Sequence, residues 1–267
     1  MKNIIFTLTG FALLLFAIPL QSQEQYLHKE YISTSGDTLI YRLLEPENMT
    51  AGTRYPLVIF LHGVGERGSD NQAQLVHGGN MFLNPKVRDE HPAYIMYPQC
   101  PETAAWSNTH RSENEPPENK SRFPMAPEIT APMQSLIELI EGFAGQDDID
   151  ISRIYVMGLS MGGMGTFDLI CRRPDLFAAA VPICGGVNPQ RIANVNPDLK
   201  ISIYHGDKDN AVSVDFSREV YKALKAIGKE PRYIEFPGCG HNAWDPALND
   251  PELLNWMFSQ KNRTTMD

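Results

Sequence analysis

Ten consecutive residues, 154–163 (Ile-Tyr-Val-Met-Gly-Leu-Ser-Met-Gly-Gly), constrain the fold of this 267-residue chain more than any other stretch. Ile154, Tyr155, Val156 and Met157 form an apolar, largely β-favouring run, and a helix-compatible segment follows from Met161 to about residue 171. Ser160 therefore stands on the turn from a buried strand into a helix. The Gly-x-Ser-x-Gly spacing serves that turn. A Cβ at Gly158 or Gly162 would meet the neighbouring strand or helix as the serine takes strained backbone angles, and the tightness of the turn pushes Oγ outward. A glycine-rich turn that only packs a helix onto a sheet is the simpler alternative, and the groups at the other strand ends decide between the two.

The first 22 residues carry Lys2 and then an apolar run over 4–20, broken near its end by Pro19, with Ser22 before the polar Gln23. This is the layout of a cleaved secretory signal peptide, too short for a stable membrane span. Residues 23–267 are then expected to form a single α/β catalytic domain, exported to the periplasm or beyond the cell and without stable membrane association after cleavage. The formal charge is −9, with 23 basic residues scattered along the chain rather than bunched. Nucleic acid and anionic membrane surfaces are poor partners for such a surface. Cys100, Cys171, Cys184 and Cys239 lie far apart and form no C-x-x-C pair. Cys171 and Cys184 read as buried thiols. Cys100 and Cys239, in loops, are the better candidates for a bridge if one exists.

Along the rest of the chain, residues 26–33 and 38–44 read as an antiparallel edge hairpin around Ser35-Gly36-Asp37. Residues 57–61 (Leu-Val-Ile-Phe-Leu) are a continuous apolar run of the kind buried on both faces of a parallel sheet. Ser69-Asp70 is placed to cap a helix reaching His77, with Gly78-Gly79 as its stop. A further strand over 93–97 leads into a polar, proline-rich loop over 102–127 that holds Trp106, Arg111 and Phe123. Leaving the carboxyl end of a strand, this loop reads as substrate-binding. A helix over 128–144 and strands over 177–183, 200–204 and 232–236 complete the pattern. Asp147, Asp148 and Asp150 read as a polar turn.

The polar groups that could do chemistry follow the ends of these strands. His62-Gly63-Val64-Gly65-Glu66-Arg67-Gly68 follows 57–61, and its glycines let the Val64 amide face Ser160. With the Met161 amide, that would make two donors for an oxyanion. His62 reads as a brace for the loop, and Glu66 and Arg67 as bracing or site-lining. A serine hydroxyl needs a base, and the base needs an acid to hold its tautomer. His241, between Gly240 and Asn242 and downstream of the acidic loop, is the base. His205, directly after its strand, is the weaker choice. Asp207 and Asp209 both satisfy the spacing for the acid. Trp106 and Trp244 are the aromatic candidates for walls of a substrate pocket.

Together, His62-Gly63-x-Gly65-Glu66-Arg67-Gly68, Pro98-Gln99-Cys100-Pro101 before Trp106, the segment Gly158-Leu159-Ser160-Met161-Gly162-Gly163, His205-Gly206-x-x-Asp209 and Gly240-His241 resemble bacterial esterases of the α/β-hydrolase superfamily. The likeness is greatest to carbohydrate esterase family one, which includes feruloyl and acetyl-xylan esterases, with kinship to polyhydroxybutyrate depolymerases and dienelactone hydrolases. The resemblance implies an α/β-hydrolase fold, with a mostly parallel sheet covered by helices on both faces and an antiparallel N-terminal hairpin. It also implies Asp209 as the acid, Asp207 as a turn former, and no metal or organic cofactor. The expected substrate is a small-molecule or carbohydrate ester. A prolyl-oligopeptidase-like peptidase and a non-catalytic glycan-binding relative are the competing readings. Such peptidases usually bear a β-propeller, which this chain lacks, and mere binding has no need of Ser160, Asp209 and His241 together.

Overall fold

The computed structural model describes residues 20–109 and 123–263. Most of the expected leader and the middle of the 102–127 loop, with Arg111, lie outside the described residues. Strands β1 (Leu27–Ile32) and β2 (Thr38–Leu44) form the edge hairpin, with Leu27 opposite Leu43. Next come β3 (Tyr55–Leu61), the short helices α1 (Gly79–Phe82) and α2 (Pro85–Glu90), and β4 (Tyr94–Pro98). The chain continues through α3 (Ala131–Ala144), β5 (Ile149–Leu159), α4 (Met161–Arg172) and β6 (Ala179–Ile183). It closes with β7 (Lys200–Gly206), α5 (Val214–Ala226), β8 (Arg232–Phe236), α6 (Trp244–Leu248) and α7 (Leu253–Phe258).

Among the described residues the strands make one sheet in the order β1-β2-β4-β3-β5-β6-β7-β8. From β4 to β8 every neighbouring pair is parallel, and β2 joins β4 antiparallel. Alternate side chains of a strand point to opposite faces, so β3 feeds two cores. Leu57, Ile59 and Leu61 pack with Met133 and Leu136 of α3, Phe167 of α4 and Leu224 of α5. Val58 and Phe60 pack on the other face with Phe82, Ala247, Leu253 and Met257 of the remaining helices. Burial on both faces is what the unbroken apolar run in β3 encodes.

Three expectations are corrected. Asp70 does cap a turn, accepting the Gln72 and Ala73 N–H groups at 2.9 and 3.1 Å, but only a short 3-10 turn over Ala73–Leu75 follows. Gly78 does not stop a helix. It starts α1 from the left-handed region at φ 78°, where a Cβ would press on the Phe60 ring at 2.8 Å. Second, Cys171, read as a buried thiol, is only part-buried, while Cys100 is fully buried within its loop, and all four cysteines are free thiols. Third, Trp106 is no pocket wall. It is completely buried against Leu61, its indole N–H donates to the His62 carbonyl at 3.2 Å, and the Cβ that Gly165 lacks would strike its Cβ.

Trp106 thus pins the start of the 102–127 loop between β3 and α4. Trp106→Ala should lower the free energy of unfolding by about 3–5 kcal/mol, the range for emptying a large aromatic site, as read from urea denaturation. A loss below about 1 kcal/mol would show that the site is not packed as described.

Candidate active site

Ser160 directly follows β5 and adopts φ 53°, ψ −116°, a combination that side chains avoid. What holds it there is backbone lying on backbone. A Cβ on Gly162 would fall on the Leu61 carbonyl, one on Gly158 would meet the Gly162 carbonyl, and one on Gly163 would strike the Ile183 carbonyl. Hydrogen bonds then link the strand ends in steps. The Ser160 N–H donates to Ile183 O at 2.9 Å, the Cys184 N–H to Tyr204 O at 2.9 Å, and the Asp207 N–H to Phe236 O at 3.2 Å. The residues leaving β5, β6 and β7 are each tied to the next strand of the sheet.

Three side chains meet at the carboxyl ends of these strands. Ser160 is 8% exposed, its hydroxyl donates to His241 Nε2 at 2.9 Å, and His241 Nδ1–H donates to Asp209 Oδ2 at 2.7 Å. Asp207 does not compete: its Oδ1 accepts the Gly238 N–H at 2.6 Å and closes the turn. Asp209 Oδ1 accepts the Ala211 and Val212 N–H groups at 2.9 and 2.8 Å. Burial alone would raise the Asp209 carboxyl, but the bonds from His241 and these amides outweigh it and hold the group below its ordinary value. The arrangement can move a proton from Ser160 to His241 while Asp209 stays ionised.

The loop after β3 lies alongside. The Cβ position of Gly63 is 3.7 Å from Ser160 Cβ and 3.0 Å from Glu66 Oε2, so the Val64 and Glu66 turn borders the serine. Val64 is 54% exposed. Met161 opens α4, where the first N–H groups of a helix have no partner within it. Arg67 braces the loop, its guanidinium donating to the Val64 and Ala104 carbonyls at 3.2 and 3.1 Å. Glu66 Oε1 is 3.7 Å from His77 Nε2, and Trp244 stands between His77 and His241 with ring centroids 5.3 and 5.1 Å away. Of the two tryptophans only Trp244 touches the site.

His62 is a brace, as its position suggested. The Cys100 N–H donates to its Nε2 at 2.9 Å, so Nδ1 carries the proton and donates to Gly63 O at 2.6 Å. His205, the weaker choice for the base, and Cys184, read as a buried thiol, stand beside Ser217, which the sequence reading did not single out. Cys184 Sγ, a His205 ring nitrogen and an Asp209 oxygen lie within 4.8 Å of one another. Such atoms can ligate a transition metal, but here they bond to each other and to the backbone. His205 Nε2 lies 3.2 Å from Asp209 Oδ2 and 2.9 Å from Val212 O, and the Cys184 thiol donates to His241 O at 3.4 Å. Burial, with Asp209 nearby, pushes that thiol up to about 12. The signal for Ser217 was present: Ser213 caps α5, and Val214, Ser217, Val220 and Leu224 share its buried side.

Residues 49–252 match the family model described as phospholipase/carboxylesterase. Poly(3-hydroxyalkanoate) depolymerase C of Paucimonas lemoignei is 29% identical over 205 residues, 76% of this chain and 44% of that protein. The cutinase est2 of Thermobifida alba is 34% identical over 103 residues, 38% of this chain and 32% of that protein. The chain thus spans less than half the length of these curated relatives. Among solved structures, a thermostable esterase superposes with a TM-score of 0.81 at 33% identity, covering 91% of this chain and 64% of the other. The fold is that of the α/β-hydrolases.

The buried His62 gives a test of the site's framework. Burial, aided by Arg67, lowers its pKa to about 4, well below the ordinary 6.5, despite the Gly63 carbonyl. The unfolded chain therefore takes up this proton first as pH falls. The stability it confers is complete above pH 6.5 and lost as pH drops from about 6.5 to 4, by about 3 kcal/mol. Urea denaturation across that range should show the loss, and the difference between wild type and His62→Gln should carry it. Parallel curves for the two proteins would refute the assignment.

Proposed function

The chain belongs to the phospholipase/carboxylesterase family, and on that premise we infer that it is a serine carboxylesterase working through an acyl-enzyme. The observation that carries this reading is the unbroken hydrogen-bonded path from Ser160 through His241 to Asp209 at the strand ends. In this reading His241 Nε2 takes the Ser160 proton as Oγ attacks the ester carbonyl, and Asp209 stabilises the imidazolium. The Val64 and Met161 amides receive the oxyanion. His241 then hands the proton to the departing alcohol, next removes one from a water that attacks the acyl-enzyme, and finally returns it to Ser160. Every step uses side chains, backbone amides and water.

For the substrate we favour acyl or feruloyl groups on small alcohols or plant-type carbohydrates. This fits the family and a weaker, fold-level likeness to a ferulic acid esterase from Anaeromyces mucronatus (15% identity, TM-score 0.61, 88% of this chain and 90% of the other). Glu66 and Trp244, bordering Ser160 and His241, are the residues we assign to the alcohol side, and Arg67 holds their loop. The apolar leader makes export part of the reading. Among the described residues no helix is long and apolar enough to cross a membrane.

The test is hydrolysis of p-nitrophenyl acetate, butyrate and octanoate and of methyl ferulate, with a proline dipeptide anilide alongside. Ester turnover with no anilide cleavage is expected. Ser160→Ala should lose around 10⁶-fold in kcat while remaining folded. A purified variant retaining a few per cent of activity would move the nucleophile elsewhere. Asp209→Asn should lose about 10⁴-fold and Asp207→Asn far less, and the reverse ranking would reassign the acid.

A further inference from the structure

Asp209 has a second histidine on it. His205 ends inside β7, is fully buried, and holds Nε2 3.2 Å from Asp209 Oδ2, the same oxygen that receives His241 Nδ1–H at 2.7 Å. The Nε2–H hydrogen bond itself goes to the Val212 carbonyl at 2.9 Å, with Asp209 Oδ2 beside it as the longer contact. Both neighbours are acceptors, so Nε2 must carry a hydrogen. The other nitrogen, Nδ1, lies 2.7 Å from Ser217 Oγ of α5, a hydroxyl able to donate to it. Burial lowers the His205 pKa and favours the neutral ring. The ring is then the Nε2–H tautomer, with the Ser217 hydroxyl donating a hydrogen bond to Nδ1. Ser217 Oγ is also 3.1 Å from the Gly185 carbonyl, an acceptor it can serve only by releasing Nδ1.

We propose that His205 is a positioning residue for the reaction, its Nε2–H fixing Asp209 Oδ2 at the point where His241 Nδ1–H must find it. This rests on the reading of Ser160, His241 and Asp209 as the catalytic set. Without His205, Asp209 is held through Oδ1 by the Ala211 and Val212 amides, and those two bonds leave the carboxylate free to swing about them. The third contact removes that freedom. The positive end of the His205 N–H dipole, 3.2 Å from Oδ2, also tempers how strongly the carboxylate holds a positive His241. The other ionisable groups around the ring are Cys184 at the end of β6, and Glu235 of β8, which is bound by Arg218 of α5. Of these, Cys184 also touches Asp209, but its thiol donates to the His241 carbonyl and is a weak donor that does not replace the ring N–H.

The test compares His205→Phe, which removes the donor, with His205→Gln, whose amide N–H can occupy the Nε2 position. His205→Phe should lower kcat on p-nitrophenyl acetate by about 10- to 100-fold, the range for losing an outer hydrogen-bonding partner, with KM little changed. The acidic limb of its kcat/KM profile should move to higher pH, because a carboxylate with one donor fewer holds the imidazolium more firmly. His205→Gln should recover most of kcat and the wild-type limb. Equal losses in both variants that follow their melting temperatures, with the limb unmoved, would overturn the proposal. If His205→Phe does not fold, ring-proton NMR of the wild type decides. An exchange-protected Nε2–H, absent in His205→Gln, supports the proposal, and an Nδ1–H tautomer overturns it. A Ser160→Ala control keeps the two inferences apart: if that variant stays active the catalytic reading itself fails, whatever His205 does.

Discussion

The contact between the Gly162 backbone and the carbonyl of Leu61 is the constraint from which the rest of this site follows. Because no side-chain atom can stand between them, α4 starts hard against the end of β3, and Ser160 is forced into backbone angles it would otherwise avoid. The strain is local and is held between β3 and β6, both wholly buried strands of the sheet. On one side the loop after β3 comes within reach of the serine. On the other, the Gly163 backbone rests on the end of β6. Moving any one of these backbones would displace the others.

Much of this was legible in the residues because it depends on local rules. A strained serine between glycines is readable wherever a buried strand precedes it and a helix follows. Likewise the histidine after Gly240 is readable because the turn must release the chain toward the site. Spacing alone treated Asp207 and Asp209 alike, and only the resemblance of the His205-Gly206-x-x-Asp209 motif favoured Asp209. What separates them is a contact from a distant turn: the Gly238 amide engages Asp207, while His241 reaches Asp209. Trp106 shows the limit from the other direction. An aromatic residue in an aperiodic, polar loop at a strand end reads as a wall of the substrate pocket. Its burial depends on Gly165, some sixty residues later, leaving a hollow that only the folded chain reveals. The same holds for Gly78, whose role is set by the Phe60 ring beneath it.

The polar interior around the acid is denser than a three-residue scheme requires. His205, Ser217 and Cys184 are buried and contribute little to packing that apolar residues could not supply, while each carries the cost of desolvating a polar group. Cys184 also takes φ 50°, a second unfavourable backbone conformation one strand away from Ser160. Buried polar groups are tolerable when bonded, and here Ser217 bonds His205, Cys184 bonds the His241 carbonyl, and His205 lies against the Asp209 carboxylate, so the contacts gather around one acid. Such convergence favours geometry over stability.

The stepped hydrogen bonds from Ser160 to Ile183, Cys184 to Tyr204 and Asp207 to Phe236 run entirely through main chain. They are indifferent to which side chains decorate the rim, so the spacing of serine, acid and base is insulated from the loops above them. A lineage could lengthen, shorten or exchange the part of the β4–α3 segment that follows Trp106 and explore new substrates while inheriting the same reaction centre unchanged.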